Sequence, residues 1–246
     1  MPADVAVLPG QDTVLSSWRA LAGTEFGPGQ LIETPHAMAA VFPEFGYLNN
    51  AILTAETDCA DSAAAALGDV YGAAGITTWA LWVPGRATTF DESSDALPGV
   101  GTLRRDVTTV AMQRTLDGDL RKDGRVTTVS GAALRRLVVD EAVPVEQLGV
   151  PDPNARITGW ALVTDGQAIT TAYTHCNGLD CGIYAVGTLA SWRRRGYART
   201  LVEHILADAR ENGMQTATLQ STPMGRALYD SLGFRAVGRY EEWLQG

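Results

Sequence analysis

Apolar residues recur along the chain with two different periods, and these periods divide it into helices and strands. "TVLSSWRALA", "DSAAAALGDVYGAAG" and "GYARTLVEHILADARENG" have apolar positions at helical spacing, so each is predicted to form a helix. "ITTWALWVP", "CGIYAVGTL", "TATLQST" and "RAVGRYEEWL" are short β-rich runs and are predicted to be strands. Their order indicates an α/β (α+β) protein with a mixed central β-sheet flanked by helices.

Turn residues mark where several of these elements end. "ITGWALVTDGQAITTAYTHC" is the clearest hairpin, because Asp165 and Gly166 are the residues that a tight primed turn requires. In "TPMGRALYDSLGF", Thr222 is predicted to cap a helix that ends at Gly233. "TLRRDVTTVAMQRTL" fits a strand pair or one long strand, and "TTFDESSDALPGVG" fits a short helix or a turn.

The segment "DGDLRKDGR" is the best candidate for a domain boundary. It has two Asp-Gly pairs, several charges and a single apolar side chain. We therefore predict two domains, 1–125 and 126–246. Each has a helix, a strand, a shorter helix that ends near glycine, and further strand material, which indicates two tandem halves related by a weak internal duplication.

Composition and charge exclude several classes of protein. The 246 residues are 46% apolar and 19% charged, as in a globular protein with a core, and the formal net charge is −9. The segment from Pro151 onward has nine acidic and nine basic residues, so the whole excess lies in 1–150. A chain this acidic is not expected to bind nucleic acid. No apolar run is long enough for a membrane span, and we expect a cytoplasmic protein.

The three cysteines, Cys59, Cys176 and Cys181, suggest a reducing compartment because their number is small and odd. Cys176 and Cys181 frame "CNGLDC", the expected end of a hairpin, where they could lie close enough to oxidise. A structural disulfide is the less favoured interpretation. No metal site is predicted, because no third or fourth ligand lies nearby in sequence.

The stretch "SWRRRGYART" places the densest positive charge of the chain directly before a helix. Free backbone N–H groups and the helix dipole favour an anion at that position, and arginines add charge-assisted hydrogen bonds. Gly196 would allow the chain to approach the anion closely, and the small Ala198 would keep the helix near it. These features favour a phosphate or diphosphate ligand. A solvated basic turn is the alternative, and a nucleoside triphosphate loop is disfavoured because no Gly-Lys-Ser/Thr is present.

"VGTLASWRRRGYARTLVEHIL" followed by "LQSTPMGRALYDSLGF" resembles the acetyl-CoA-binding core of the GCN5-related N-acetyltransferase (GNAT) family. The family signature Gln/Arg-x-x-Gly-x-Gly/Ala is met by 193–198. The resemblance implies a GNAT-like fold, acetyl-CoA as co-substrate, and transfer of an acetyl or other acyl group to a primary amine. It also implies that 126–246 is the cofactor-binding domain. Residues 1–125 would be a degenerate copy or a substrate-shaping domain, since their "TAETDCADSAAAALG" has no arginine and no comparable glycine loop.

The resemblance assigns residues to two roles. Cofactor binding falls to a strand that parts from its neighbour, to the arginine loop and to the cap of the last helix: Val186, Gly187, Thr188, Arg193, Arg194, Arg195, Gly196, Tyr197, Ala198, Arg199 and Thr222. Gly187 independently suggests a bulge, because it interrupts an apolar strand. Tyr229, in "LYDSLGF", would donate a proton or a hydrogen bond to the departing sulfur.

The general base stays unassigned. Where many family members have a glutamate, this chain has 182–184, which contains no carboxylate. His175 is expected to have a surface role and His204 to be solvated. A non-catalytic acyl-CoA-binding sensor or scaffold is therefore the alternative function. The expected partner is a small-molecule or peptide amine, and homodimerisation stays open; nucleic acid, a membrane and a metal are not expected.

Overall fold

The computed structural model describes residues 7–22, 28–90, 99–138, 143–152 and 154–246. The helices are α1 Gln11–Leu21, α2 Ala60–Ala73, α3 Gly131–Val138, α4 Tyr197–Glu211 and α5 Arg226–Ser231. The strands are β1 Gln30–Glu33, β2 Ala37–Val41, β3 Asn50–Leu53, β4 Trp79–Gly85, β5 Arg104–Thr115, β6 Val126–Val129, β7 Val143–Pro144, β8 Thr158–Thr164, β9 Gln167–Asn177, β10 Asp180–Thr188, β11 Thr216–Ser221 and β12 Arg235–Gln245. The predicted mixed α and β architecture is confirmed.

These strands form one continuous mixed sheet that runs through both predicted halves. Its order is β1-β2-β3-β4-β12-β5-β11-β10-β9-β8-β6, and β7 pairs with β9. Most neighbours are antiparallel, whereas β3 with β4 and β10 with β11 are parallel. Each parallel pair is connected by one of the two longest helices, α2 or α4, as the long crossover between parallel strands requires.

The pattern of parallel and antiparallel pairing is nearly the same on both sides of the β12–β5 pair. Outward from this pair lie a parallel strand pair and then antiparallel strands, as a two-fold axis between β12 and β5 would generate. The last strand of each half pairs with the other half: β5 lies between β12 and β11, and β12 lies between β4 and β5. This symmetry supports the duplication that the element order indicates, and it joins the two halves through their central strands.

The two faces of the sheet carry different helices. Val110 of β5 packs in one cluster with α4 and α5, and it pairs directly with Arg239, which shares its face. Trp243, four residues further along β12 on that face, packs with α2. The opposite face holds the core shared with α1 and α3, which includes Tyr240. The fold therefore has three layers, with α2, α4 and α5 on one side and α1 and α3 on the other.

Local sequence explains the principal elements. The apolar stripe predicted for α4 is buried at Leu201, Val202, Ile205, Leu206 and Ala209, and α4 ends at the turn that contains Gly213. The predicted hairpin forms with Asp165 and Gly166 both at positive φ, 49° and 73°, as a primed turn requires. The "TLRRD" segment forms one long strand, β5, rather than a pair.

Two predictions at the level of elements need revision or lie outside the described residues. The last helix is shorter than predicted, because α5 begins at Arg226 after a turn in which Gly225 N–H donates to Thr222 O (3.0 Å). Thr222 is thus not its N-cap. Most of "TTFDESSDALPGVG" lies in 91–98, outside the described residues. Within the described ranges, no helix has both the length and the apolar character needed to cross a bilayer.

Candidate functional site

The parallel strands β10 and β11 part halfway along their length. They pair only from Asp180 to Gly182, opposite Thr216 to Thr218. Beyond that point β10 pairs with β9 alone, and its register with β9 shifts by one residue between Tyr184 and Gly187. Ala185 adopts a positive φ of 50° in this bulge. Because a bulge bends the strand that contains it, the end of β10 turns away from β11 and a gap opens between them.

The bulge predicted at Gly187 is therefore present, and Val186, Gly187 and Thr188 lie at the gap. On their β11 side these residues form no ladder with another described strand. The Thr188 carbonyl accepts a hydrogen bond from Arg193 Nε (2.9 Å), and its hydroxyl is 3.0 Å from that of Thr170. The arginine loop is thus tied directly to the end of β10.

The loop that leads from β10 into α4 contains a run of backbone N–H groups without a hydrogen bond to the described residues. Arg194 and Gly196 both have positive φ, 62° and 85°, and Gly196 is the N-cap of α4 without a side-chain capping bond. The first helical bond of α4 is Thr200 N–H to Gly196 O (3.1 Å). Among the described residues, the N–H groups of 194–199 have no acceptor. Six such donors at the positive end of a helix dipole are suited to an anion.

Three of the four arginines around this loop have intramolecular contacts. Arg193 bonds to the Thr188 carbonyl, and the Arg195 guanidinium lies 5.1 Å from the centroid of the Trp192 ring. Arg199 pairs with Glu203 at 3.1 Å and also bonds to Ser231 Oγ. Arg194 is exposed and bonds to no side chain or carbonyl in the described segments of the chain. Arg194 is therefore the arginine most free to contact a bound anion.

Tyr229 lies where β11 ends beside the gap. Its ring packs edge-on against Phe234 (5.9 Å between centroids), and the Cβ position of Gly225 would be 3.0 Å from Tyr229 Cε2 and 3.4 Å from Ser221 Oγ. The side chain is buried, and burial raises the pKa of Tyr229 to about 12. Thr222 is exposed on the turn between β11 and α5, and its carbonyl also accepts from Ser221 Oγ at 2.9 Å.

The structure corrects the expectations for both histidines. His175 is buried, not at the surface: Nε2 is 2.8 Å from Ser16 Oγ of α1, and Nδ1 is 2.8 Å from the Arg156 carbonyl. His204 is buried rather than solvated, because the segment before β6 folds over α4 and Asp123 N–H donates to its Nδ1 (3.0 Å). Burial lowers the pKa of each imidazole.

The predicted hairpin end is also present, with Cys176 directly opposite Cys181 on β9 and β10. All three cysteines have free thiols. Within the described ranges, no group of three or more His, Cys, Asp or Glu side chains is arranged to hold a metal ion.

Sequence reasoning missed the two acidic residues of β12. Glu241 is buried and bonds to Arg105 (2.6 Å) and Arg239 (2.7 Å). Glu242 points to the opposite face, where burial raises its pKa to about 7. The signal was available in "RYEEWL", because adjacent carboxylates in an apolar strand must face opposite sides of the sheet.

Comparisons with known proteins agree with this geometry. Residues 156–236 match the family model described as Acetyltransferase (GNAT) domain. A GCN5-related N-acetyltransferase from Kribbella flavida superposes with a TM-score of 0.61 at 17% identity, over 95% of this chain and 94% of that one. A putative GNAT acetyltransferase from Novosphingobium aromaticivorans gives 0.57 at 16% identity, over 87% and 89%. A GCN5-related N-acetyltransferase from Sphaerobacter thermophilus gives 0.50 at 15% identity, over 95% and 84%. A search of curated protein sequences found no match. The predicted GNAT-like fold is thereby confirmed.

Proposed function

We propose that this chain, in which 156–236 form a GNAT acetyltransferase domain, transfers the acetyl group of acetyl-CoA to a primary amine. The observation that carries the proposal is the gap between β10 and β11, which opens beside the unpaired N–H groups of 194–199. A gap in a sheet admits an extended chain such as pantetheine, and the adjacent N-terminus of α4 can bind the diphosphate of coenzyme A. One ligand then satisfies both features.

In this arrangement the diphosphate binds the N–H groups of 194–199, and Arg194 adds a charge-assisted hydrogen bond. The pantetheine arm lies along Val186, Gly187 and Thr188 and bonds to their free backbone groups as another strand would. Backbone N–H groups at the gap polarise the thioester carbonyl. No covalent enzyme intermediate is required, because the thioester is already activated towards the amine.

Tyr229 is proposed to stabilise the leaving thiolate. With its pKa raised to about 12 by burial, full proton transfer to a thiolate of ordinary pKa near 8.5 would be uphill by about 5 kcal/mol. A hydrogen bond from the phenol to sulfur involves no such transfer. Tyr229 is therefore expected to act as a hydrogen-bond donor, and the proton reaches the thiol from solvent or from the amine.

The segment of the chain before β5 is proposed to bind no cofactor of its own. The start of α2 is the position symmetric to the arginine loop, and it has no glycine at positive φ. The first turn of α2 contains Asp61, whose carboxylate accepts a hydrogen bond from Gly101 N–H (2.7 Å). The negative charge of Asp61 at the N-terminus of α2 disfavours binding of a diphosphate there. One cofactor per chain is expected.

The test combines binding and turnover with two matched variants. Arg194→Glu is expected to weaken acetyl-CoA binding about tenfold or more, whereas Arg121→Glu, the same charge change at an exposed residue, should leave it unchanged. Calorimetry measures the affinity, and a thiol reagent measures release of coenzyme A with primary amines. Equal affinity of the two variants would contradict the cofactor site. Tight binding without thiol release on any amine would favour the sensor or scaffold alternative.

A further inference from the structure

The two adjacent glutamates of β12 lie in opposite electrostatic environments. Glu241 has two arginine partners, Arg105 and Arg239, on the face of α2 and α4. Glu242 lies on the face of α1, and its hydrogen bond is from the Thr109 hydroxyl (3.2 Å). No lysine or arginine of the described residues forms an ion pair with Glu242. Glu242 is therefore a partly buried carboxylate without a counter-ion in the described part of the chain.

The groups around Glu242 give it negative or apolar neighbours. From β5, the Asp106 carboxylate raises its pKa, while the Thr109 hydrogen bond lowers it; burial is the largest cause and leaves the pKa at about 7. From β4, Trp82 lies directly opposite in the ladder. A carboxylate in such a place is costly to ionise unless a cation binds beside it.

Aromatic rings complete the surroundings. Tyr240 lies two residues before Glu242 on the same face of β12, and its ring is 5.6 Å from that of Trp82. Trp18 of α1 packs edge-on against Trp82 at 5.6 Å. Tyr240 and Trp18 are buried and hold Trp82 in place, whereas Trp82 is partly exposed. A carboxylate beside such a ring is suited to an alkylammonium group, through an ion pair and cation–π attraction.

The sheet register places this group near the gap. Ser221, at the end of β11, pairs with Val110 of β5, and Thr109, the next residue, pairs with Tyr240 of β12. Arg239 of β12 also pairs with Val110, so Glu242 lies two strands across from Ser221 and three residues further along, about 14 Å in all at the usual spacings. The acceptor is taken to approach the thioester from the face of Glu242, because α4, α5 and Tyr229 occupy the other face.

We propose that Glu242, beside Trp82, binds a second ammonium group of the acceptor, so that the acceptor is a diamine; this inference rests on the proposed function. The separation of about 14 Å is too long for Glu242 to contact the attacking nitrogen. It suits a flexible diamine whose distal ammonium is held while the proximal amine reaches the thioester. Glu242 is then a specificity-determining residue.

The experiment compares two acceptors of equal length, hexamethylenediamine and aminohexanol, in which a hydroxyl replaces the distal ammonium. The full chain is expected to prefer the diamine in kcat/KM by about tenfold or more near pH 8. Glu242→Gln should reduce this preference to within about twofold by raising KM for the diamine alone. Acetyl-CoA affinity should not change. Glu33→Gln, the same change at an exposed strand residue, is the matched control and should retain the preference.

The pH profile separates recognition from a merely structural effect. The preference for the diamine should grow as pH rises through about 7, where Glu242 ionises. Thr109→Val removes the hydrogen bond that lowers this pKa, so it should move the rise to higher pH without abolishing it, and Glu242→Asp should restore part of the preference.

Three results would overturn the inference alone, with acetyl-CoA binding intact: equal use of both acceptors by the parent protein, turnover of neither, or an equal loss of kcat on both in Glu242→Gln. Absence of acetyl-CoA binding by the parent protein would instead contradict the proposed function.

Discussion

Replacement of Gly196 by valine tests whether the N-terminus of α4 binds the diphosphate, because it changes a residue in the left-handed conformation at that position. Gly196 has φ 85° and ψ −2°, and an added Cβ would meet nothing within 4 Å. The cost of the side chain is therefore conformational, about 1–2 kcal/mol for a non-glycine residue in the left-handed region. If the free variant relaxes out of this conformation, acetyl-CoA has to restore it on binding. The same energy then appears as a loss of affinity of about 5- to 30-fold.

Gly213, at the other end of α4, provides the matched control. It also has φ 85° with nothing within 4 Å of an added Cβ, so Gly213→Val has the same intrinsic cost. Both variants should lower Tm by a few degrees. Only Gly196→Val should weaken acetyl-CoA binding measured by titration calorimetry. Equal affinities in the two variants would refute the assignment of 194–199 to the diphosphate.

Further predictions concern the phenol, the thiols and a buried imidazole. Tyr229→Phe should lower kcat about a hundredfold with an unchanged KM for acetyl-CoA; a rise in KM alone would contradict a role at the sulfur. Cys176 and Cys181 face each other one step from a two-residue turn, the non-hydrogen-bonded position where a disulfide can close. Peroxide should therefore oxidise the Cys176 thiol to a sulfenic acid, which the Cys181 thiol converts to a disulfide with loss of water; mass spectrometry that finds Cys181 still free after such treatment would contradict this. Burial lowers the pKa of His175, so the fold favours its neutral form, and the free energy of unfolding should fall as pH drops below the ordinary value near 6.5. Urea titrations should show a weaker pH dependence in His175→Gln, and an identical dependence would argue against it.

Features of the fold that depend on neighbouring residues could be predicted from the sequence. The apolar stripe of α4, the Asp165-Gly166 turn and the bulge at Gly187 follow from side chains and glycines within a few positions. The role of Gly196 at the N-terminus of α4 could be predicted for the same reason, since a glycine next to a run of arginines is a local feature of the sequence.

Features that depend on distant partners could not be predicted in this way. β5 and β12 pair with each other although they lie more than a hundred positions apart in sequence. No residue in either strand indicates this partner. His175 looks like a strand-end surface residue until α1 supplies Ser16. Glu242 becomes buried only when β4 and β5 pair with β12, because burial is a property of the assembled sheet.

The central claim is that the unpaired N–H groups of 194–199 bind the diphosphate of acetyl-CoA, and amide hydrogen exchange measures those groups directly. In the free protein they should exchange fast, since no described residue accepts from them. Saturating acetyl-CoA should slow their exchange and that of 186–188, while ATP should leave both segments unchanged. Unchanged exchange at 194–199 under saturating acetyl-CoA would contradict the account.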